Sequence, residues 1–137
     1  MIIGILAFSF ALNIIALPFL PQSIATHWNR YDQADGFMSK AVGLFGFSLI
    51  MGFIAVLFIV LPKISGNDKK LVPIMPYYEF FSVWLAAFLL TINIHIVLWN
   101  ASIIKMPPSL VAAGAIIVLF AGLVIVACFR KKTRISG

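Results

Sequence analysis

Apolar residues run uninterrupted by Asp, Glu, Lys or Arg through four stretches of the chain, residues 2–20, 42–61, 80–99 and 110–129. Each holds about 20 residues, which at about 1.5 Å per residue crosses a hydrocarbon core of about 30 Å. None alternates apolar with polar residues at a period of two, which argues against a β-barrel. A segment in lipid has no water to bond its peptide groups, so each run must satisfy its own backbone as a helix. The pattern predicts an all-α integral membrane protein, a compact four-helix bundle of two antiparallel hairpins, with residues 1–137 as one four-span domain. Pro107 and Pro108 stand just ahead of Ser109, where the fourth helix should begin, and the connection before them is short.

The breaks between the runs set the orientation. Lys63, Lys69 and Lys70 fall between the second and third runs, and Arg130, Lys131, Lys132 and Arg134 follow the fourth. The opposite side carries Arg30, Lys40 and Lys105. Basic residues in short loops stay inside, so both termini and the middle connection are expected in the cytoplasm and residues 21–40 form an outer loop. The first run lacks a basic leader and ends in Pro18, Phe19, Leu20 and Pro21 rather than in a small-residue cleavage motif, so it reads as a retained span. Tyr77, Tyr78 and Trp99 stand where interfacial aromatics anchor a helix.

Composition agrees and adds two exclusions. Hydrophobic residues make up 63% of the chain, charged residues 10%, and the mean hydropathy is +1.11, a balance foreign to a soluble domain. The net charge of +6 is accounted for by topology, and no helix-turn-helix, zinc or aromatic-platform pattern accompanies it, so nucleic acid is not an expected partner. Cys128 is the sole cysteine, which excludes an intramolecular disulfide. Ser48, Gly52 and Ala55 in the second run, with Gly43 and Gly46 near its outer end, offer a smooth face for close helix contact. Gly114, Ala121 and Gly122 do the same in the fourth; the oligomeric state stays open.

Few polar residues interrupt the spans, and each is costly without a partner. They are Asn13 in the first and Thr91, Asn93 and His95 in the third, with Asn100 at its outer edge. Thr91 and His95 share a helix face. His95 lies on the same side as His27, so these two histidines, with Asp32 and Asp35, are weak candidates for a metal or pH-sensing site; no HxxxH-type spacing supports it. The bland alternative makes His95 an interhelical hydrogen-bonding residue. Glu79, at the inner border of the third run, could stay hydrated or pair with Lys69 or Lys70. No GxSxG, HExxH, Walker loop or intramembrane aspartate pair is present, so no enzyme and no cofactor is expected.

The outer loop is the richest segment chemically. Asp35-Gly36 reads as its turn and Ser39 as the N-cap of the second helix. His27, Trp28, Asn29, Tyr31 and Phe37 mix aromatic surface with polar tips, as expected of a loop folded on the bundle mouth or of one that grips a peptide. Leu20-Pro21, Ile24, His27-Trp28-Asn29, Asp35-Gly36 and Ser39-Lys40, followed by Leu61-Pro62-Lys63-Ile64, His95 and Trp99-Asn100, resemble in order and spacing the N-terminal membrane domain of SdpI-type proteins, which give immunity to a sporulation-delaying peptide toxin. The likeness runs over about the first 100 residues. It departs at Ala25, where that family has Pro, and at Asp32, which replaces a turn Gly but tolerates the left-handed region. SdpI-type proteins continue into a further multi-span half, which this chain, ending after its fourth run, is expected to lack.

The resemblance implies a non-enzymatic protein of a bacterial or archaeal plasma membrane that binds a membrane-active peptide through His27, Trp28, Asn29, Asp35, Gly36 and Lys40. Asn13, Asn93 and His95 are its intramembrane polar residues. The alternatives are a small accessory subunit of a larger membrane complex and a metal- or proton-linked protein using His27 and His95. Expected partners are the lipid bilayer with a peptide toxin or another membrane protein.

Overall fold

The computed structural model describes residues 1–64 and 74–135. Helix α1 (Ile2–Ala16) runs on through a single 3-10 turn at Leu17–Phe19 and is followed by strands β1 (Ser23–Trp28) and β2 (Ala34–Ser39). Then come α2 (Lys40–Ile64), α3 (Met75–Asn100) and α4 (Pro108–Ile135). The stretches Ile2–Phe19, Lys40–Ile64, Tyr77–Asn100 and Pro108–Phe129 are long and apolar enough to cross a membrane. This is the architecture of a multi-pass membrane protein. Lys69 and Lys70, the expected partners of Glu79, lie outside the described residues.

The all-α expectation is corrected by residues 23–39, which pair as an antiparallel hairpin with Ser23 opposite Ser39 and Trp28 opposite Ala34. A segment lying across the end of a helical bundle must still bond its backbone groups, and pairing with itself does so locally. Six-residue strands rich in Ser, His, Asp and Gly carry too weak an alternation to separate from a loop by pattern.

The turn is also not where the sequence suggested. Asp35-Gly36 lies inside β2, and Gly36 faces His27 at an irregularity in the register. A Cβ at Gly36 would stand 2.7 Å from the Cβ of His27, so glycine here permits close strand approach rather than a reversal. The chain reverses at residues 29–32, where the N–H of Asp32 donates to the carbonyl of Asn29. The Asn29 side chain closes the turn by accepting from the N–H groups of Tyr31 and Gln33. Asp32 adopts φ of 58°, the left-handed conformation its place in the sequence pointed to. Ser39 directly precedes Lys40, the first residue of α2.

Helices α1, α2 and α3 pack on one another, whereas α4 packs on α3 with no comparable contact to the other two. The expected closed four-helix bundle is therefore a three-helix core with a fourth helix leaning on it. The cause is local: Gly122 takes the ring of Phe80 against its backbone, and the indole N–H of Trp84 donates to the carbonyl of Ala115, both contacts from α3. No residue of the Pro108–Phe129 span is buried. Of the small residues in α2, Ser48 and Ala55 are buried, while a side chain added at Gly46 or Gly52 would meet open space. At the hairpin end, Ala16, Leu20, Ile24, Leu44, Ile96 and Val97 form the apolar core.

Candidate functional site

The hairpin is fastened to the helices at three places, and a further bond closes the chain at its base. Asn100, at the end of α3, acts as a peptide mimic: its Oδ1 accepts the N–H of Ala25 at 2.7 Å and its Nδ2 donates to the Ala25 carbonyl at 2.9 Å. Ile24 and Thr26 press on Gly43 of α2 so closely that a Cβ there would come within 2.8 Å of the Ile24 side chain. The Lys40 ammonium donates to the carbonyl of Leu20. At the tip, the Asp32 carboxylate accepts from both the N–H and the hydroxyl of Ser109, in the first turn of α4, where a negative charge also meets the positive end of the helix dipole.

Ala25 spends its N–H on Asn100 rather than on the partner strand. Ala25→Pro should therefore remove one bond and no rung of the ladder, costing about 1 kcal/mol. Thermal unfolding in detergent checks this; a variant whose hairpin fails to form would show that the strand cannot take proline here.

Inside the clamp, Trp28, His95 and Trp99 form an aromatic triad with ring centroids 5.6–5.8 Å apart. His95 is only 5% exposed, and neither of its ring nitrogens has a hydrogen-bond partner; the indole nitrogen of Trp28 is buried and unpartnered as well. A buried polar group left unpaired costs about 1–3 kcal/mol. Three such atoms on two adjacent side chains are thus an energetic peculiarity of this corner.

These two residues line a groove of about 680 Å³ between α2 and α4, floored by α3 and headed by the hairpin. Its walls are apolar: Gly46 and Phe47 of α2, Phe88 and Ile92 of α3, Val111 and Ala112 of α4. The volume lies within the range of small-molecule sites, roughly 300–1,000 Å³. Sequence reading missed this groove because it depends on α4 leaning away from α2. Its sole signal was Gly46, a small residue with nothing to pack against.

The exposed face of the hairpin is a different surface. There His27 Nδ1 meets Asp35 Oδ1 at 2.6 Å, with side chains 71% and 44% exposed. Tyr31 and Phe37 also stand open. Of the residues expected to bind, His27 and Asp35 therefore form a pair on this face, and Trp28 turns inward to the triad. Asn29, Gly36 and Lys40 shape and anchor the hairpin. The metal alternative finds its residues dispersed: Asp32 is held by Ser109, Asp35 by His27, and His95 lies among aromatics. Among the described residues, no three His, Cys, Asp or Glu side chains gather as ligands.

Deeper in the core, the intramembrane polar residues meet. Asn13 Nδ2 donates to the Leu44 carbonyl at 3.0 Å and to Ser48 Oγ at 2.8 Å. Asn93 Nδ2 donates to Asn13 Oδ1 and to Ser9 Oγ, and the Ser9 hydroxyl in turn reaches the sulfur of Met51. Ser9, Asn13 and Asn93 are fully enclosed, so one polar cluster ties α1 to α2 and α3. Sequence reading found Asn13 and Asn93 but overlooked Ser9, which shares a helix face with Asn13 four residues on, and took Ser48 for a packing residue only. Thr91 is exposed and bonds back to Ala87 of its own helix.

A family model described as a domain of unknown function, DUF1648, matches residues 4–52, which hold most of α1, the hairpin and the first half of α2. That is about half of the stretch over which the motif resemblance runs. No curated protein and no solved structure matches the chain.

Proposed function

We propose that this chain is a non-enzymatic, SdpI-like protein of a bacterial or archaeal plasma membrane that binds a membrane-active peptide at its outer face. The observation that carries this reading is the rigid presentation of the hairpin: clamped by Asn100, Gly43 and Asp32, it holds His27, Asp35, Tyr31 and Phe37 outward. A preorganised aromatic and polar surface loses little entropy on binding a peptide. Both termini lie in the cytoplasm in this reading, since Lys63 and the basic end of α4 sit at the pole opposite the hairpin. The motif likeness and the DUF1648 match over the hairpin support the SdpI-like assignment.

Placing a photo-cross-linking amino acid at Phe37 in the native host tests this. A cross-linked peptide of a few kilodaltons, with His27→Ala weakening its capture by about tenfold or more, is the expected result. Adducts formed with integral membrane proteins alone would overturn it. They would favour instead an accessory subunit of a larger complex, a reading to which the uncovered apolar face of α4, with Ile117, Phe120 and Val124, lends support.

A further inference from the structure

The groove under the hairpin has features that the exposed strand face does not explain. We infer that it is a binding site for a neutral single-chain lipid, its hydroxyl head at His95 and Trp28 and its chain laid between α2 and α4.

The polar groups come first. A neutral imidazole offers one N–H and one lone pair, and the Trp28 indole adds a second N–H. All three atoms are buried without a partner in the protein. The two imidazole nitrogens point away from each other, so one hydroxyl meets the Trp28 N–H and one of them, and a glycerol head with two free hydroxyls supplies a partner for all three.

Charge narrows the class further. Among the described residues lining the groove there is no Lys, Arg, Asp or Glu, and His27 at its head is engaged with Asp35. A phosphate or quaternary ammonium head would find no counter-charge, whereas a glycerol or long-chain alcohol needs none.

The direction of the groove gives the chain. Polar lining is confined to the hairpin end, where Thr26, His27, Trp28 and His95 lie, and the walls below are apolar. From Val42 to Ile50, both lining residues, α2 rises by about 12 Å. A polar head at the pole of the bundle with an apolar tail along the helices toward their middle is the orientation of a lipid in one leaflet. A lipid can enter from the bilayer without crossing water. The site is independent of what the exposed strand face binds.

Gly46 makes the inference testable, since it lines the groove and a Cβ there meets nothing within 4 Å. Gly114 of α4 is equally open but lies off the groove, so Gly114→Leu is the matched control. The full chain, with Trp28 at the groove and Trp99 in its triad as fluorescence reporters and Trp84 kept for its bond to Ala115, is reconstituted in phosphatidylcholine vesicles. It is then titrated with a monoacylglycerol brominated on its acyl chain. The expected result is saturable quenching whose midpoint moves up by about tenfold or more in Gly46→Leu and in His95→Phe. It should not move in Gly114→Leu or in Phe37→Ala, and the second of these separates this site from the peptide surface. Phosphatidylcholine brominated on the same chain should quench only in proportion to its mole fraction. Unsaturable quenching that is identical in the unsubstituted groove and in Gly46→Leu would overturn the site as ordinary boundary lipid. Saturable quenching unaffected by His95→Phe would overturn the assignment of the head.

Discussion

Asn13→Leu is expected to destabilise the folded protein by about 2 kcal/mol, measured by steric trapping or by unfolding with a denaturing detergent. Leucine has the same branched, four-heavy-atom side chain as asparagine but is bulkier, so no cavity is left and the loss combines the broken bonds with some overpacking. Asn13 donates to Leu44 and Ser48 of α2 and accepts from Asn93 of α3, at the centre of a fully enclosed cluster. Its removal leaves the Ser48 hydroxyl and one Asn93 proton to find new partners in an apolar interior. Asn93 keeps Ser9, which holds the cost near the middle of the range for buried bonds. Asn93→Leu should cost a similar amount. The double variant should cost less than the two singles together, because they share one bond. Strict additivity, or single costs below about 0.5 kcal/mol, would show that the cluster does not hold α1 in place.

Asn100→Leu should release the hairpin while leaving the helices folded. One side chain meets both the N–H and the carbonyl of Ala25, itself buried, and among the described residues no other side chain of α3 bonds to those groups. Two bonds of about 1–1.5 kcal/mol each correspond to a loss of protection of roughly 30- to 160-fold for amides opened with the hairpin. Hydrogen exchange followed by mass spectrometry should show this gain over residues 23–39 and leave α1 near its original rate. If the hairpin exchanges as before, then Gly43 packing and the Asp32–Ser109 contact hold it without Asn100. Peptide capture should fall with hairpin protection, since the exposed pair of His27 and Asp35 is presented by the same two strands.

How much of this was legible beforehand differs from element to element. Asp32 was readable as a left-handed residue because that preference is local to its own side chain. Asp35-Gly36 was misread as a turn because glycine marks close approach as well as reversal, and only the neighbour, here His27, distinguishes the two. Asn13 and Asn93 were visible as costly residues in apolar runs. That they bond each other, and that Ser9 joins them, depends on the rotation of α1 against α3. Trp28 was expected on the binding surface from the loop's set of aromatics and the motif resemblance, yet it packs inward on His95 and Trp99, as the alternative of a loop folded on the bundle mouth had it, while His27 beside it stays open. Alternation along a strand sends neighbours to opposite sides, but which side is the core is set by the bundle beneath.

The sequence by itself determined the four long apolar helices, their approximate limits and the polar segment between the first two. Those follow from hydropathy and length, which each segment carries regardless of its neighbours. Only the tertiary structure decided that residues 23–39 pair as a hairpin docked on α2 and α3, that α4 leans chiefly on α3 among the helices, and that a groove with unpartnered polar groups opens between α2 and α4. Each of these turns on helix rotation and on single close contacts, Gly43 with Ile24 and Gly122 with Phe80, between residues far apart in the chain. In an apolar surrounding, where burial alone does not rank one helix face above another, such contacts and a few hydrogen bonds select the arrangement.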